Sequence, residues 1–270
     1  MIQEGLEAAL AVGSRSGEAY AHHALADTFE SYGDWRRALD EAQVGLTIAR
    51  EIGHLEWTAA GLSVLGRLRR HCGDAHGARA LHEEMLEITR ELGSVIWVAE
   101  ALGELGDDLA ALGDEAAGAR FEEAVATADE IVKFATRALI GLAELRLEQG
   151  TAEAALETAR RARTIAAEFG PVAVDARRLE GEALLALGDV NGAEAALRQA
   201  KADALSMDAA PAHWRACLGL ADLLAHRERR DEAARERAEA RAALERVAAD
   251  LPADLRECFA RTPVMQRARA

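Results

Sequence analysis

The densest group of chemically capable side chains in this sequence is His71, Cys72, His76 and His82, four residues within one short stretch. Imidazole and thiol donors are the raw material of a zinc site, which needs about four convergent ligands. His71 and Cys72, however, straddle a turn signal, Gly73-Asp74, so they do not share one helical face. His22 and His23 are adjacent and would point about 100° apart on a helix, which disfavours a dinuclear centre. The acidic pairs Glu83-Glu84, Asp107-Asp108 and Glu122-Glu123 offer carboxylates for acid–base work. They fall at amphipathic helix positions, where a solvated face accounts for them. No Gly-rich phosphate loop, GxSxG elbow or HExxH helix is present. Cys72, Cys217 and Cys258 are odd in number and far apart, so neither a disulfide framework nor a CxxC knuckle is expected. The expectation is a chain that is not an enzyme and carries no metal and no cofactor.

Composition narrows the elements that position these residues. Of 270 residues, 50% are hydrophobic and only 4% aromatic, too apolar for a disordered chain and too poor in aromatics for a β-sandwich. Lys and Arg total 32 against 47 Asp and Glu, leaving a formal charge of −15. Phosphate contacts need a basic surface, so direct nucleic-acid binding is not expected. No run reaches the roughly 18 apolar residues of a membrane span, and no membrane partner is expected. The opening Met1 to Glu7 is acidic where a secretory signal is basic, which points to a cytoplasmic protein.

Self-similarity organises the rest. Gly33-Asp34, Gly73-Asp74 and Gly188-Asp189 repeat one turn, and Gly113-Asp114, Gly150-Thr151 and a degraded copy at Glu228 extend the series. Successive turns lie 40, 40, 37, 38 and 40 residues apart. Twenty residues after a turn comes Gly53, Gly93 or Gly170, with Lys133, Asp208 and Ala248 in the same place in the other copies. Seven residues before each turn stands a small residue: Ala26, Gly66, Gly106, Ala143, Gly181 or Ala221. Five after it comes Ala38, Ala78, Gly118, Ala155, Ala193 or Ala233, and twelve after it Gly45, Met85, Val125, Ala162, Ala200 or Ala240. Small residues at fixed places on two helices let their backbones approach. Gly supplies the left-handed helix end and Asp caps the helix that follows.

Leu65-Gly66, Gly73-Asp74, Ala78 and Met85 in one unit, and Leu25-Ala26, Gly33-Asp34, Ala38 and Gly45 in another, resemble the tetratricopeptide repeat (TPR) family. The resemblance covers almost the whole chain, although these units run 37 to 40 residues against the family's common 34. Such long units are similar to the C-terminal arrays of bacterial maltose-regulator-like activators and signal-transduction ATPases. The implied fold is all-α, a right-handed α-solenoid of antiparallel helix pairs. It comprises a half repeat at 1–13, repeats at 14–53, 54–93, 94–132, 133–170, 171–209 and 210–248, and a C-terminal cap at 249–270.

The resemblance also implies that first helices line a concave groove. The residue after the small position is Asp27, Arg67, Asp107, Glu144, Glu182 or Asp222, five acids in six. Tyr20, Ala60, Glu100, Arg137, Asp175 and Arg215 lie six before the small position, and His23, Ser63, Gly103, Ile140, Arg178 and Leu218 three before it. With Arg70, this gives a mostly acidic groove with arginine islands. The partner expected there is a protein or peptide, basic or mixed in charge. Intra-groove Arg–Asp pairs that merely keep the chain soluble explain the same residues. Asn191, the only asparagine, lies in a turn, so the carboxylate clamp of the chaperone-binding members is not expected. Trp57 and Trp97, in register with Phe134 and Val172, read as packing between adjacent units.

At the ends, 5–13 matches 45–53, so the chain opens on the second helix of a unit, as expected of a piece of a longer polypeptide. Leu251, Leu255 and Phe259 predict a short helix closing the last repeat, followed by a frayed tail from Arg267. The functional expectation is a non-catalytic protein- or peptide-binding TPR scaffold, the C-terminal sensing or docking region of a larger bacterial signalling or transcriptional regulator. The alternatives are a small-molecule inducer sensor and a self-assembly module associating through the N-terminal half repeat.

Overall fold

The computed structural model describes residues 2–128, 135–166 and 170–270. The expected landmarks Lys133 and Phe134 lie outside the described residues. Among those described there are fifteen α-helices and no strand. After α1 (Ile2–Ala11) the chain runs in antiparallel pairs: α2 (Arg15–Tyr32) with α3 (Trp35–Glu51), α4 (Leu55–His71) with α5 (Ala75–Leu92), and α6 (Val95–Ala111) with α7 (Ala117–Thr127). The pairs continue as α8 (Thr136–Glu148) with α9 (Ala152–Ala166), α10 (Gly170–Ala186) with α11 (Val190–Ser206), and α12 (Ala210–His226) with α13 (Arg230–Asp250). Two short helices follow, α14 (Ala253–Phe259) and α15 (Pro263–Arg269). No helix among the described residues is long and apolar enough to cross a membrane.

The corner of each hairpin follows from its residues. Gly73 takes φ 88°, a left-handed conformation that ends α4, and Asp74 Oδ1 accepts the Gly77 N–H at 2.9 Å to start α5. Asp34 and Asp189 cap α3 and α11 in the same way. The degraded copies keep the backbone without the glycine: Asp208 has φ 52° and Glu228 φ 59°. The third unit differs. Asp114 accepts from the N–H of Ala116, two residues on rather than three, and the buried face of α7 moves one residue earlier. Ala117 and Ala124 are buried there, in place of the expected Gly118 and Val125.

Small residues set the helix spacing. A Cβ added at Gly66 would lie 2.2 Å from His82 Nε2, and one at Gly106 would lie 2.6 Å from the Phe121 ring. Ala26, Ala38, Ala143, Ala155, Ala193 and Ala221 are fully buried at the equivalent contacts. Trp57 Nε1 donates to Ser16 Oγ at 3.1 Å and Trp97 Nε1 to Glu56 Oε1 at 3.2 Å, so both indoles reach back into the preceding unit.

The chain divides into two compact units. The first holds Met1–Thr127 together with Asp250–Phe259, and within it α2, α4 and α6 lie side by side. The second holds Ala128–Ala249 and Ala260–Ala270, with α8, α10 and α12 side by side. The C-terminal segment departs from expectation in two respects. Instead of closing the last repeat, α14 joins the first unit, where Phe259 stands edge-on to Trp35 at 5.4 Å. The stretch expected to fray is helical: Thr262 precedes α15, Pro263 opens it, and Met265 and Ala268 are buried. The reason is apolar spacing, since Met265 and Ala268 lie three apart on one face. Ala248, expected to end a unit, lies inside α13, which continues to Asp250.

Candidate functional site

In the first unit the row that follows the small residues is tied together by two arginines. Arg67, on α4, is only 3% exposed. Its Nη2 donates to Asp27 at 2.5 Å and Glu30 at 2.7 Å on α2, and its Nη1 to Ser63 Oγ at 2.7 Å. Glu100 and Glu104 of α6 lie 3.6 Å from the other side of the same guanidinium. One turn on, Arg70 donates to Glu104 Oε2 at 2.7 Å and Asp108 Oδ1 at 2.8 Å, with Asp107 at 3.3 Å. Asp108 in turn meets His82 Nδ1 of α5 at 2.5 Å.

Buried charge is tolerated here because every arginine faces several carboxylates. Burial alone would push the Glu30 carboxyl up. The Arg67 charge, assisted by His71, outweighs it and holds that carboxyl well below the usual carboxylate range. Burial opposes the charge on Arg67 and Arg70 as well, and their carboxylate neighbours raise both further above the ordinary arginine value. Of the histidines in the N-terminal cluster, His82 is taken up by Asp108 and His71 stacks on Trp35 at 5.3 Å.

The second unit repeats the scheme around Arg178 of α10. Its guanidinium meets Asp175 at 3.2 Å, Glu182 at 3.1 Å and Glu144 of α8. Arg215 of α12 reaches the other oxygen of Asp175 at 3.2 Å. Arg137 is exposed. Asp222 of α12 receives Arg237 at 3.2 Å and, from α15, Arg267 at 2.8 Å. Arg267 also lies 3.6 Å from Glu182. The acids expected to face a partner thus hold an arginine of the chain's own C-terminal helix.

The expected site residues therefore fall into two groups. Arg67, Arg70 and Arg178 are committed to internal pairs, whereas Asp27, Glu144 and Asp222 keep about two fifths of their side-chain surface exposed. Tyr20 is exposed and packs its ring 5.0 Å from Trp57, and His23 Nε2 lies 3.5 Å from Asp27. Glu30, Glu104 and Arg267 were missed from sequence, and Asp108, expected with Asp107 on a solvated face, is instead fully buried against Arg70 and His82. Glu30 and Glu104 sit three and four residues from Asp27 and Glu100, a helical spacing that carries the signal.

No protein-family model matches the sequence, and no curated protein matches it. Solved structures do. A Rap protein complexed with Competence and Sporulation Factor aligns at TM-score 0.71 and 17% identity, over 87% of this chain and 66% of that one. The apo form of RapI aligns at TM-score 0.65 and 18% identity, over 84% of each chain. A signal-transduction ATPase with numerous domains and a tetratricopeptide repeat sensor, from Pyrococcus horikoshii, aligns at TM-score 0.54 and 17% identity. That alignment covers 91% of this chain and 39% of the ATPase. The fold is of the tetratricopeptide-repeat type. The TPR-type chain spans slightly less than two thirds of the first Rap structure and well under half of the ATPase.

Proposed function

We propose that this TPR-type chain is a non-catalytic protein- or peptide-binding scaffold, whose first-helix carboxylates receive an arginine-bearing segment. One observation carries the reading: Asp222 and Glu182 hold Arg267 of a short helix whose Met265 and Ala268 are buried. An acidic row that accepts this intramolecular helix has the chemistry to accept a basic or mixed-charge peptide with an apolar residue beside its arginine. The first unit has the same excess of acids, six carboxylates around Arg67 and Arg70. The structural neighbours fit a sensing or docking role, since one is a complex with Competence and Sporulation Factor and another carries a TPR sensor. In this reading the chain is the docking region of a larger bacterial, cytoplasmic signalling or transcriptional regulator.

Self-association is a second reading, favoured by α1 and the turn after it, where Leu10 is 55% and Val12 78% exposed. Sedimentation over a range of concentrations tests it: a monomer throughout removes it.

The test of the groove uses fluorescent arginine-bearing helical peptides and acidic peptides of equal length. Binding of the basic peptide should weaken at least tenfold in Asp222→Lys. It should strengthen in Arg267→Ala, which removes the competing arginine of α15 from Asp222 and Glu182. Equal binding of the acidic peptide, or no change in Asp222→Lys, would overturn the proposal.

A further inference from the structure

The second unit contains a donor cluster that the partner-binding reading leaves unused. His213 and Cys217 stand four residues apart on α12, so their side chains share one face. Glu239 of α13 is presented to that face, and Lys201 of α11 stands behind it. Cys217 Sγ lies 3.5 Å from His213 Nε2, which lies 3.0 Å from Glu239 Oε1. All three donor atoms fall within 4.8 Å of one another.

These separations can be compared with those a metal imposes. Zinc takes thiolate at about 2.3 Å, imidazole at about 2.0–2.1 Å and carboxylate at about 2.0–2.2 Å, in a tetrahedron. Tetrahedral angles then place sulfur about 3.6 Å from nitrogen and nitrogen about 3.4 Å from oxygen. The Cys217–His213 pair already has the first spacing, fixed by one helical turn. Cys217 Sγ and the Glu239 carboxylate lie within 4.8 Å, against roughly 3.6 Å in a tetrahedron, so the remaining movement, up to roughly an ångström, falls on Glu239, whose side chain is 44% exposed.

We propose that His213, Cys217 and Glu239 bind one divalent cation of the zinc class, with the fourth coordination position open to water. The donor set is the borderline-soft mixture of sulfur, nitrogen and oxygen that suits zinc better than magnesium or calcium, which take oxygen ligands. Lys201 supplies the outer sphere. Its Nζ lies 2.7 Å from Glu239 Oε2 and 2.7 Å from Glu236 Oε2, so it holds the carboxylate oxygen that the metal does not use and leaves Oε1 facing His213. On binding, the Cys217 S–H bond breaks, its proton goes to solvent and an S–metal bond forms, with no change of oxidation state. The dication and the Lys201 ammonium then balance one thiolate and two carboxylates. Ligands from α12 and α13 make the ion a staple across the last hairpin.

The test adds Co2+ to the full chain as a spectroscopic probe, with Zn2+ as competitor. One equivalent of Co2+ should give a thiolate-to-cobalt charge-transfer band with the visible bands of four-coordinate cobalt, and Zn2+ should displace it. Cys217→Ser should abolish the charge transfer. His213→Asn and Glu239→Gln should each weaken Co2+ binding tenfold or more, and Zn2+ should raise the melting temperature of the parent but not of Cys217→Ser. No charge-transfer band in the parent, or a band that survives Cys217→Ser and so belongs to Cys72 or Cys258, would overturn the site. If Cys217→Ser does not fold, the exposed Glu239→Gln decides: unchanged Co2+ affinity there overturns it equally.

Discussion

Arg267 and Asp222 are separated by forty-five residues of sequence, and their charged groups meet at 2.8 Å. Both side chains are about two fifths exposed, so the pair is a rim contact. Pairs of this kind contribute about 0.2–1 kcal/mol. Arg267→Glu should therefore leave the main thermal transition within a degree or two. Repulsion from Asp222 and Glu182 should loosen α15, and hydrogen exchange over residues 260–270 should rise several-fold. An unchanged exchange rate there would show that Met265 and Ala268 alone hold the helix.

Gly66 is where α4 meets α5, with no room for a methyl group. A Cβ there would lie 2.2 Å from His82 Nε2, and His82 is fully buried and bonded to Asp108. The ring cannot move without giving up that bond, so Gly66→Ala is expected to cost about 1–3 kcal/mol by overpacking. Gly106→Ala, facing the buried Phe121 ring at 2.6 Å, should cost a similar amount. Gly5, with no atom near its would-be Cβ, is the control: Gly5→Ala should be neutral or slightly stabilising. Denaturant melts of the three variants check this ranking.

The acid sensitivity of the first unit should depend on Glu30. Its carboxyl is held well below the ordinary range in the folded state, chiefly by Arg67 against the opposing effect of burial. A depressed folded value means that the stabilisation is fully present above the unfolded value of about 4.3 and is lost as pH falls through the folded value. Glu30→Gln should therefore melt below the parent at pH 7, by about 1–3 kcal/mol for a weakened buried pair. The gap should narrow as the pH is lowered towards 3. A gap that stays constant with pH would mean that Glu30 acts through packing alone.

The repeat was legible because it is written in backbone chemistry. Gly73 and Asp74 impose a left-handed corner and a helix cap wherever they occur, and Gly66 with Ala78 shows where two helices touch. The third corner was misread by one residue because Asp114 caps at a spacing of two rather than three, a choice of hydrogen bond that the residue types do not dictate. The acidic row was visible as residues but not as a network. Helical spacing shows that Asp27 and Glu30 share a face, whereas the meeting of Arg67 with α2 and α6 is long-range geometry. The cluster at His213 and Cys217 shows only half of itself in sequence, since Glu239 comes from another helix. Glu239 meets Lys201 and His213 from other helices, which no spacing within α13 records. The C-terminal segment was least legible: Phe259 announces a buried face, but nothing local says that its partner is Trp35.

That last contact yields the most direct test of the fold. Phe259 is fully buried and edge-on to Trp35, which also stacks on His71. Replacing a buried Phe by Ala costs about 3–5 kcal/mol, much of which here would fall on α14, a helix too short to persist undocked. Cys72, next in sequence to His71, reports on the event. Its thiol is fully buried and pushed up to about 12, first by burial and then by the nearby Cys258. Released into water it would return towards the ordinary thiol value of about 8.5, with a far larger reactive thiolate fraction at pH 8. Labelling with a maleimide, followed by peptide mapping, should therefore find Cys72 slow in the parent and at least tenfold faster in Phe259→Ala. Equal rates in the two proteins would mean that α14 is not what keeps Cys72 from solvent.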